Sequence, residues 1–391
     1  MKTNFNFRKL YSAYLNCRKH KRKTYHSQKF EIHLESEILK LEKELKKRVY
    51  HPKKSICFIA TKPIIREIFA ATFQDRVVHH LLYNFLEPIF APKFISQSYA
   101  CQKNKGTHKS LDDLKKYLKS ITQNGSKKTY FLHLDIKGFF TSIKKEILFK
   151  LIKKHISNEE ILWLLKIIIF NNPCKNYFAK GDKSLFSKIP RYKSLFYAPE
   201  NQGLPIGNLT SQFFANVYLN ELDQFAKHKL KIKYYLRYAD DILILDKTPQ
   251  KLKDLVLKIE KFLKENLQLE INHKKTIIKS VYQGIDWVGY IVFPKYTLVR
   301  QRTVKNFKKK LFHFNQIILK KDPDLEELEK IRATINSYYG IFKHANTYNL
   351  RKNLYEKHFK ELKKYFKPNN KNFEFFEIKK EILKKLKELE F

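Results

Sequence analysis

Apolar positions recur along this chain with two different periods, and the changes between them mark out its elements. From Glu31 to Lys47, Ile32, Leu34, Ile38, Leu39, Leu41 and Leu45 form a helical stripe through alternating Glu and Lys, which predicts a helix with a salt-bridged outer face. Residues 1 to about 55 read as helical and basic throughout. Cys57–Ala71 switches to a strand-like pair broken at Lys62-Pro63, and a helix is predicted from Gln74 to about Phe90. Near Tyr130 another apolar strand begins and ends in an aspartate. Lys144–Phe170 reads as one or two helices that stop at Asn171-Asn172-Pro173, and a polar, basic loop runs on to about Asn201. A helix is expected from Leu209 through about Lys229, and an amphipathic one over Lys251–Asn266. After Arg300 the chain is helical and basic, and Pro368-Asn369-Asn370 separates a last predicted helix, Phe375–Leu389. No internal repeat is evident.

One stretch stands out against this pattern. Tyr234–Leu245 is two short strands rich in aromatic and β-branched residues, yet Asp240 and Asp241 sit at the turn between them. Aspartate is depleted in strands. Either a hairpin turn uses Asp because Asp tolerates turn dihedrals, or the turn holds carboxylates beside divalent metal ions. A third carboxylate, Asp135, ends the strand Phe131–Asp135 and is followed by Phe139-Phe140. Phosphoryl transfer by two metal ions about 4 Å apart needs carboxylates converging from different strands, and Asp135 with Asp240 suits that requirement.

The charge points to polyanions. The 391 residues carry 80 Lys+Arg against 38 Asp+Glu, a net charge of +42. Such a field binds nucleic acid with strong salt dependence, and Arg18–Lys23 is a candidate RNA contact or a merely exposed turn. At 43% hydrophobic and 15% aromatic the chain is globular, with room for two or three subdomains. Cys17, Cys57, Cys101 and Cys174 are widely spaced, which excludes a disulfide framework or C-x-x-C zinc site and favours a reducing cytoplasm. No apolar leader opens the chain, and no run reaches the length of a membrane span, so no membrane partner is expected.

The motifs resemble, in order, those of reverse transcriptases. Asp135 matches the first palm carboxylate and Tyr238-Ala239-Asp240-Asp241 the second motif. Thr61–Ile68 resembles the fingers hairpin, with Arg66 where the family's nucleotide-contacting arginine falls; its guanidinium suits phosphate and base stacking alike. Leu269–Thr276 matches the motif whose lysine, here Lys275, approaches the pyrophosphate, and Trp287–Pro294 matches the primer grip, with Trp287, Gly289 and Tyr290. Lys105–His108 and Ser337–Thr347 also match family text. The resemblance covers about residues 55 to 350.

This resemblance implies an α+β right-hand polymerase with an antiparallel palm sheet and a helical thumb. The expected layout is a basic helical extension (1–55), fingers (56–130), palm (131–295, with a fingers-associated loop at 171–201), and thumb with C-terminal helix (296–391). It implies an RNA-directed DNA polymerase in which Asp135, Asp240, Asp241 and the backbone of Ile136 bind two Mg²⁺ ions, with Mn²⁺ as a substitute. Phe140, five residues after Asp135, falls where the family bars the ribose 2′-hydroxyl; Ile206, Gly207 and Gln212 fall in the nucleotide pocket. The stretch Ile206-Gly207-Asn208-Leu209-Thr210-Ser211-Gln212 departs from the Gln-Gly-x-x-x-Ser-Pro of intron and retron enzymes and resembles the diversity-generating retroelement subfamily. That subfamily copies a template RNA with errors opposite adenine. Template RNA, nascent cDNA, dNTPs and a small basic accessory protein are the implied partners. A retron, group II intron-like or antiphage reverse transcriptase is the alternative within the class, and an inactive RNA-binding protein on a polymerase scaffold the one outside it.

Overall fold

The computed structural model describes residues 4–388 except His20, Lys23 and Pro63. The candidate contact at Arg18–Lys23 therefore falls partly outside the described residues; within them, Arg18 lies over the Tyr14 ring and 3.8 Å from Glu31. The chain forms two units, one from the segment up to Gly106 with Leu132–Ile278, the other from Thr107–Phe131 with the segment from Lys279 on.

In the first unit, α1 (Phe7–Arg18) is capped by Asn6, whose side chain accepts from the Lys9 amide. The single helix expected over Glu31–Lys47 is two, α2 (Tyr25–Ile32) and α3 (Leu34–Lys46), broken at His33. The break turns Phe30 onto Phe73 at 5.1 Å while Ile38, Leu41 and Leu45 keep the core stripe. Strands β1 (Ser55–Ala60) and β2 (Arg66–Ala70) pair antiparallel with Cys57 opposite Phe69. Thr72 caps α4 (Phe73–Phe90). The adjacent Asp75 and Arg76 take separate partners. Asp75 accepts from the Tyr50 hydroxyl and the Lys53 amide, and Arg76 Nε donates to the Ala71 carbonyl.

After α5 (Thr107–Ile121), β3 (Tyr130–Asp135) leads into a one-turn helix, α6 (Phe139–Ser142), and the pair α7 (Lys145–Lys153) and α8 (Glu159–Phe170). The following stretch is not only loop. Its β4 (Tyr177–Ala179) adds a parallel third strand to β1, and its 3₁₀ turns drop Leu195, Phe186 and Phe196 onto Cys57 and Phe69. Buried Glu67 of β2 accepts from Ser194 Oγ (2.7 Å) and the Leu195 amide (2.9 Å), tying this stretch to the β1–β2 hairpin. The next helix, α9 (Leu209–Gln224), is buried over most of its surface, polar Thr210, Ser211, Asn216 and Asp223 included, and packs against α4 and α7. Then come β5 (Tyr235–Tyr238), β6 (Asp241–Asp246), α10 (Pro249–Phe262) and β7 (Ile277–Ser280), in a sheet of order β5-β6-β3-β7. This order sets the end of β3 beside the β5–β6 turn.

In the second unit, α5 buries Leu111, Leu114, Leu118 and Ile121 on one face. A sheet of β8 (Ile285–Trp287), β9 (Tyr290–Val292) and β10 (Thr297–Val299) is followed by α11 (Gln301–Lys320), α12 (Leu325–Phe342) and α13 (Tyr348–His358). Phe307, Tyr339, Phe342 and Phe359 pack as one aromatic core. The last element differs from the expected helix over Phe375–Leu389. Strands β11 (Phe366–Pro368) and β12 (Phe376–Ile378) pair first, and α14 begins only at Lys380 and runs to Glu388. Asn336 anchors β12, its Oδ1 accepting from the Phe376 amide at 2.7 Å, so those residues extend instead of coiling. Leu389 lies outside the described residues.

Candidate active site

The three aspartates meet where the sheet order brings them. Asp135 closes β3, and Tyr238 pairs with Asp241 across a two-residue turn of Ala239 and Asp240. Such a turn requires positive φ, and Ala239 adopts φ 55, a conformation that costs a residue with a Cβ about 1–2 kcal/mol. Burial, then the charges of Asp241 and Asp135, push the Asp240 carboxyl from 3.8 up to about 6. Carboxylates gathered in this way offer oxygen donors of the kind a hard divalent cation takes. One cation already faces them. Lys275 Nζ donates to Asp135 Oδ1 (2.8 Å) and Asn272 Nδ2 to Asp135 Oδ2 (2.9 Å). Burial works to lower the Lys275 ammonium, but its bond to Asp135 and the three negative charges outweigh that and leave it above the ordinary lysine value. Among the described residues no three His, Cys, Asp or Glu side chains converge as a ready-made metal cluster. Ile136, expected to lend its backbone, is buried and bridged to Ile271.

The residue that holds the turn was not anticipated. Arg237 is fully buried and every guanidinium nitrogen is used. Nε and Nη2 grip the two oxygens of Asp223 (2.7 and 2.6 Å), Nη2 also reaches Ser98 Oγ (2.8 Å), and Nη1 donates to Asn216 Oδ1 (3.2 Å) and to the carbonyl of Ala239 (3.0 Å). The Tyr235 hydroxyl donates to Asp223 as well. Asp223 and Asn216 both lie on α9, so this network joins the central helix to the aspartate turn. The signal in the sequence was an arginine inside an otherwise apolar strand, which demands a buried acid somewhere. His133, also unanticipated, stands with Nε2 3.3 Å from Asp241 Oδ1.

The expected nucleotide residues fall in two groups. Phe140 is partly exposed while Phe139 is buried beside it, and Phe140, Gln212, Ala215 and Ala239 line a shallow hollow of ≈ 20 Å³. Ile206 and Gly207 lie instead under β2. The Phe69 amide donates to the Ile206 carbonyl (2.8 Å), and Gly207 has φ +124. A Cβ there would stand 2.8 Å from the Phe69 carbonyl oxygen, so only glycine permits this approach. Arg66 opens β2 exposed.

In the second unit the side chains of Trp287 and Tyr290, expected in the primer-grip hairpin, turn inward. Trp287 Nε1 donates to Ser110 Oγ (2.7 Å) and the Tyr290 hydroxyl to the Ile341 carbonyl (2.9 Å). What the hairpin presents is its turn, Val288 (φ 41) and Gly289 (φ +101), with nothing within 4 Å of a Cβ built on the glycine. His108 and His344, from two separate matching stretches, stack at 3.6 Å.

The family described as reverse transcriptase (RNA-dependent DNA polymerase) matches residues 51–292, more than half of the chain. The chain belongs to the reverse transcriptase family. This reverse transcriptase is similar to protein YkfC of Escherichia coli, 21% identical over 281 residues that cover 64% of this chain and 67% of that one. It is also similar to the group II intron-encoded protein LtrA of Lactococcus lactis, 27% identical over 203 residues, 51% of this chain and 30% of LtrA. The chain thus spans about a third of that intron-encoded relative. Among solved structures, apo telomerase from Candida tropicalis matches over 79% of this chain and 58% of its own at 12% identity and a TM-score of 0.46. Membership of the family makes the fold class that of a right-hand polymerase, and the family is one of RNA-dependent DNA polymerases. No helix among the described residues is long and apolar enough to cross a membrane.

Proposed function

We propose that this reverse transcriptase copies a template RNA into cDNA with errors concentrated at template adenines, as part of a diversity-generating retroelement. The observation that carries the reading is Ile206, where more accurate relatives place a glutamine. Its backbone is held by the Phe69 amide, so the side chain is free to vary without moving the loop. Ile206 offers only an apolar surface, and one neutral hydrogen bond is worth about 1 kcal/mol, roughly fivefold in discrimination. In this reading Asp135, Asp240 and Asp241 hold two divalent ions, Mg²⁺ or Mn²⁺, with Ile136 contributing its carbonyl. When bound, the ions activate the 3′-hydroxyl and neutralise charge on the leaving pyrophosphate. Lys275 gives up Asp135 and turns its ammonium toward the pyrophosphate, Arg66 takes the triphosphate, and Phe140 with Gln212 shapes the space beneath the sugar. Fingers, palm and thumb take the boundaries given above, the turn at Gly289 approaches the primer strand, and the exposed Arg302, Lys305 and Lys309 of α11 follow the duplex backbone. A small basic protein is the accessory partner, and the cytoplasm the compartment.

The test is sequencing of cDNA made from a defined RNA. Ile206→Gln is expected to lower misincorporation opposite adenine severalfold and leave other template bases unchanged. Equal adenine error in both proteins, with activity retained, removes Ile206 from the mechanism. A second reading, an intron-type reverse transcriptase, is favoured by the likeness to LtrA. It predicts a wild-type enzyme without adenine bias, assayed with its native RNA and accessory protein.

A further inference from the structure

Beside the aspartates, but lined by none of them, the first unit contains a larger concavity. It has a volume of ≈ 300 Å³ and lies between the segment that follows β3 and the 3₁₀ turns that precede α9. Its two walls are locked together: Thr141 Oγ1 donates to the Tyr192 carbonyl at 2.7 Å, and Gly138 at φ +53 leaves only 2.5 Å between a built Cβ and that same oxygen. The cavity is therefore a built feature of the fold and not a gap between loose loops.

Its lining has a definite chemistry. Tyr192 and Tyr197 are 46% and 61% exposed, and the Arg191 guanidinium lies 5.2 Å from the Tyr197 ring centroid. Arg191 and Lys144 bring positive charge with no carboxylate bound to either among the described residues. The one acid at the rim, Glu270, is held by Lys137 at 2.9 Å, so its charge is already answered. Gln202 and Gln268 add neutral amides that donate and accept. Planar rings for stacking, free cations for phosphate and amides for a base edge are the three things an unpaired nucleotide needs, and a space of this size holds one.

We propose that this cavity is a second nucleotide-binding site, which stacks one unpaired base on Tyr192 or Tyr197 and pairs the adjoining phosphate with Arg191 and Lys144. The occupant is a nucleotide whether it arrives as an unstacked residue of an RNA strand or as a free nucleoside triphosphate. The site does not depend on the polymerase reading, but an RNA strand as occupant rests on it.

The experiment uses the full chain with a 4-thiouridine-labelled single-stranded RNA pentamer, ATP as competitor, and the variants Arg191→Gln and Tyr197→Ala. Both residues face solvent, and thermal melts confirm that the variants fold. Wild type is expected to crosslink the pentamer within residues 191–197, and each variant to weaken pentamer binding about tenfold, the usual loss of one stacked base. Binding of blunt RNA duplex and extension of a preformed oligo(dT)/poly(rA) primer-template are expected to stay within twofold. Crosslinks that survive ATP at equal concentration identify an RNA strand as occupant; crosslinks that ATP abolishes identify the free nucleotide. Crosslinks absent from 191–197, with pentamer affinity unchanged in both variants, overturn the proposal. Loss of extension in the wild type itself would instead refute the polymerase reading and leave the cavity result standing.

Discussion

Arg237 gives the sharpest test of how the aspartate turn is held. Replacing it with Met leaves Asp223 buried without its cation and with only the Tyr235 hydroxyl bonded to it, since both partners have side chains with no exposure at all. Breaking one side of such a pair costs about 3–5 kcal/mol, a large fraction of a domain's stability of roughly 5–15 kcal/mol. Arg237→Met alone is therefore expected to lower the melting temperature by roughly 10 °C, which by itself says nothing about catalysis. The informative variant removes the charged pair together with the Tyr235 hydroxyl. Arg237→Met with Asp223→Leu and Tyr235→Phe replaces the pair, and the hydroxyl that bonds to it, by apolar groups of similar volume, a change that is commonly neutral or stabilising. The Ala239 carbonyl nevertheless loses its charged donor, a bond worth about 1.5–3 kcal/mol, so the strained turn is correctly set roughly ten to a hundred times less often. Melting, RNA affinity and single-turnover primer extension are measured on the same preparations. The expected result is a wild-type melt and wild-type RNA affinity with extension down ten- to a hundredfold. A triple variant that melts and extends like wild type would show that the network only fills the core.

Three further variants test the geometry. The Asp240 carboxyl sits at about 6 in the metal-free fold against 3.8, so its ionisation is a burden above that range. Because the folded value is the higher one, Asp240→Asn stabilises the metal-free protein by roughly 2–3 kcal/mol at pH 7.5, and the gain fades as pH falls through 6 and is gone near 4; a melt series against pH in EDTA checks it. The same variant abolishes extension while RNA binding persists. Phe140→Ala opens the hollow under the sugar and raises ribonucleotide incorporation roughly tenfold in a dNTP/rNTP competition, unless the gate lies elsewhere, in which case selectivity does not move. Trp287→Phe strands the buried Ser110 hydroxyl and costs about 1–3 kcal/mol in a melt, and adding Ser110→Ala recovers part of it.

The sequence was most readable where local chemistry and local structure coincide. Asp135 at a strand end and the aspartates in a tight turn lie within their own elements, so the strand pattern alone marked them. The sheet order β5-β6-β3-β7 then joined them. Arg237 was invisible as a positioning residue because its partners, Asp223, Asn216 and Ser98, come from elements that the strand pattern does not specify. The inward turn of Trp287 and Tyr290 was hidden for a different reason. A two-period strand pattern says that faces alternate, not which face meets solvent, and only the Ser110 and Ile341 bonds decide it. The three-residue β4 was too short for any periodicity and exists because β1 offers it an edge. The break at His33 came from tertiary packing of Phe30, which overrode a helical stripe that was continuous on paper.

The parallel pairing of β1 with β4 also governs how the chain comes off the ribosome. Ser55 finds its partner at Tyr177. At ordinary translation speeds that gap takes roughly ten seconds to synthesise. Throughout that interval one edge of β1, flanking Ile56 and Phe58, stands open as a template for other nascent chains. Glu67, the buried acid of β2, likewise waits for Ser194 before either of its bonds can form. Folding of the amino-terminal half is thus committed only after about residue 200, and a fragment cut anywhere between α4 and α8 leaves the nascent sheet with a sticky border. Fragments for expression are better ended beyond Gly203, where the border is sealed.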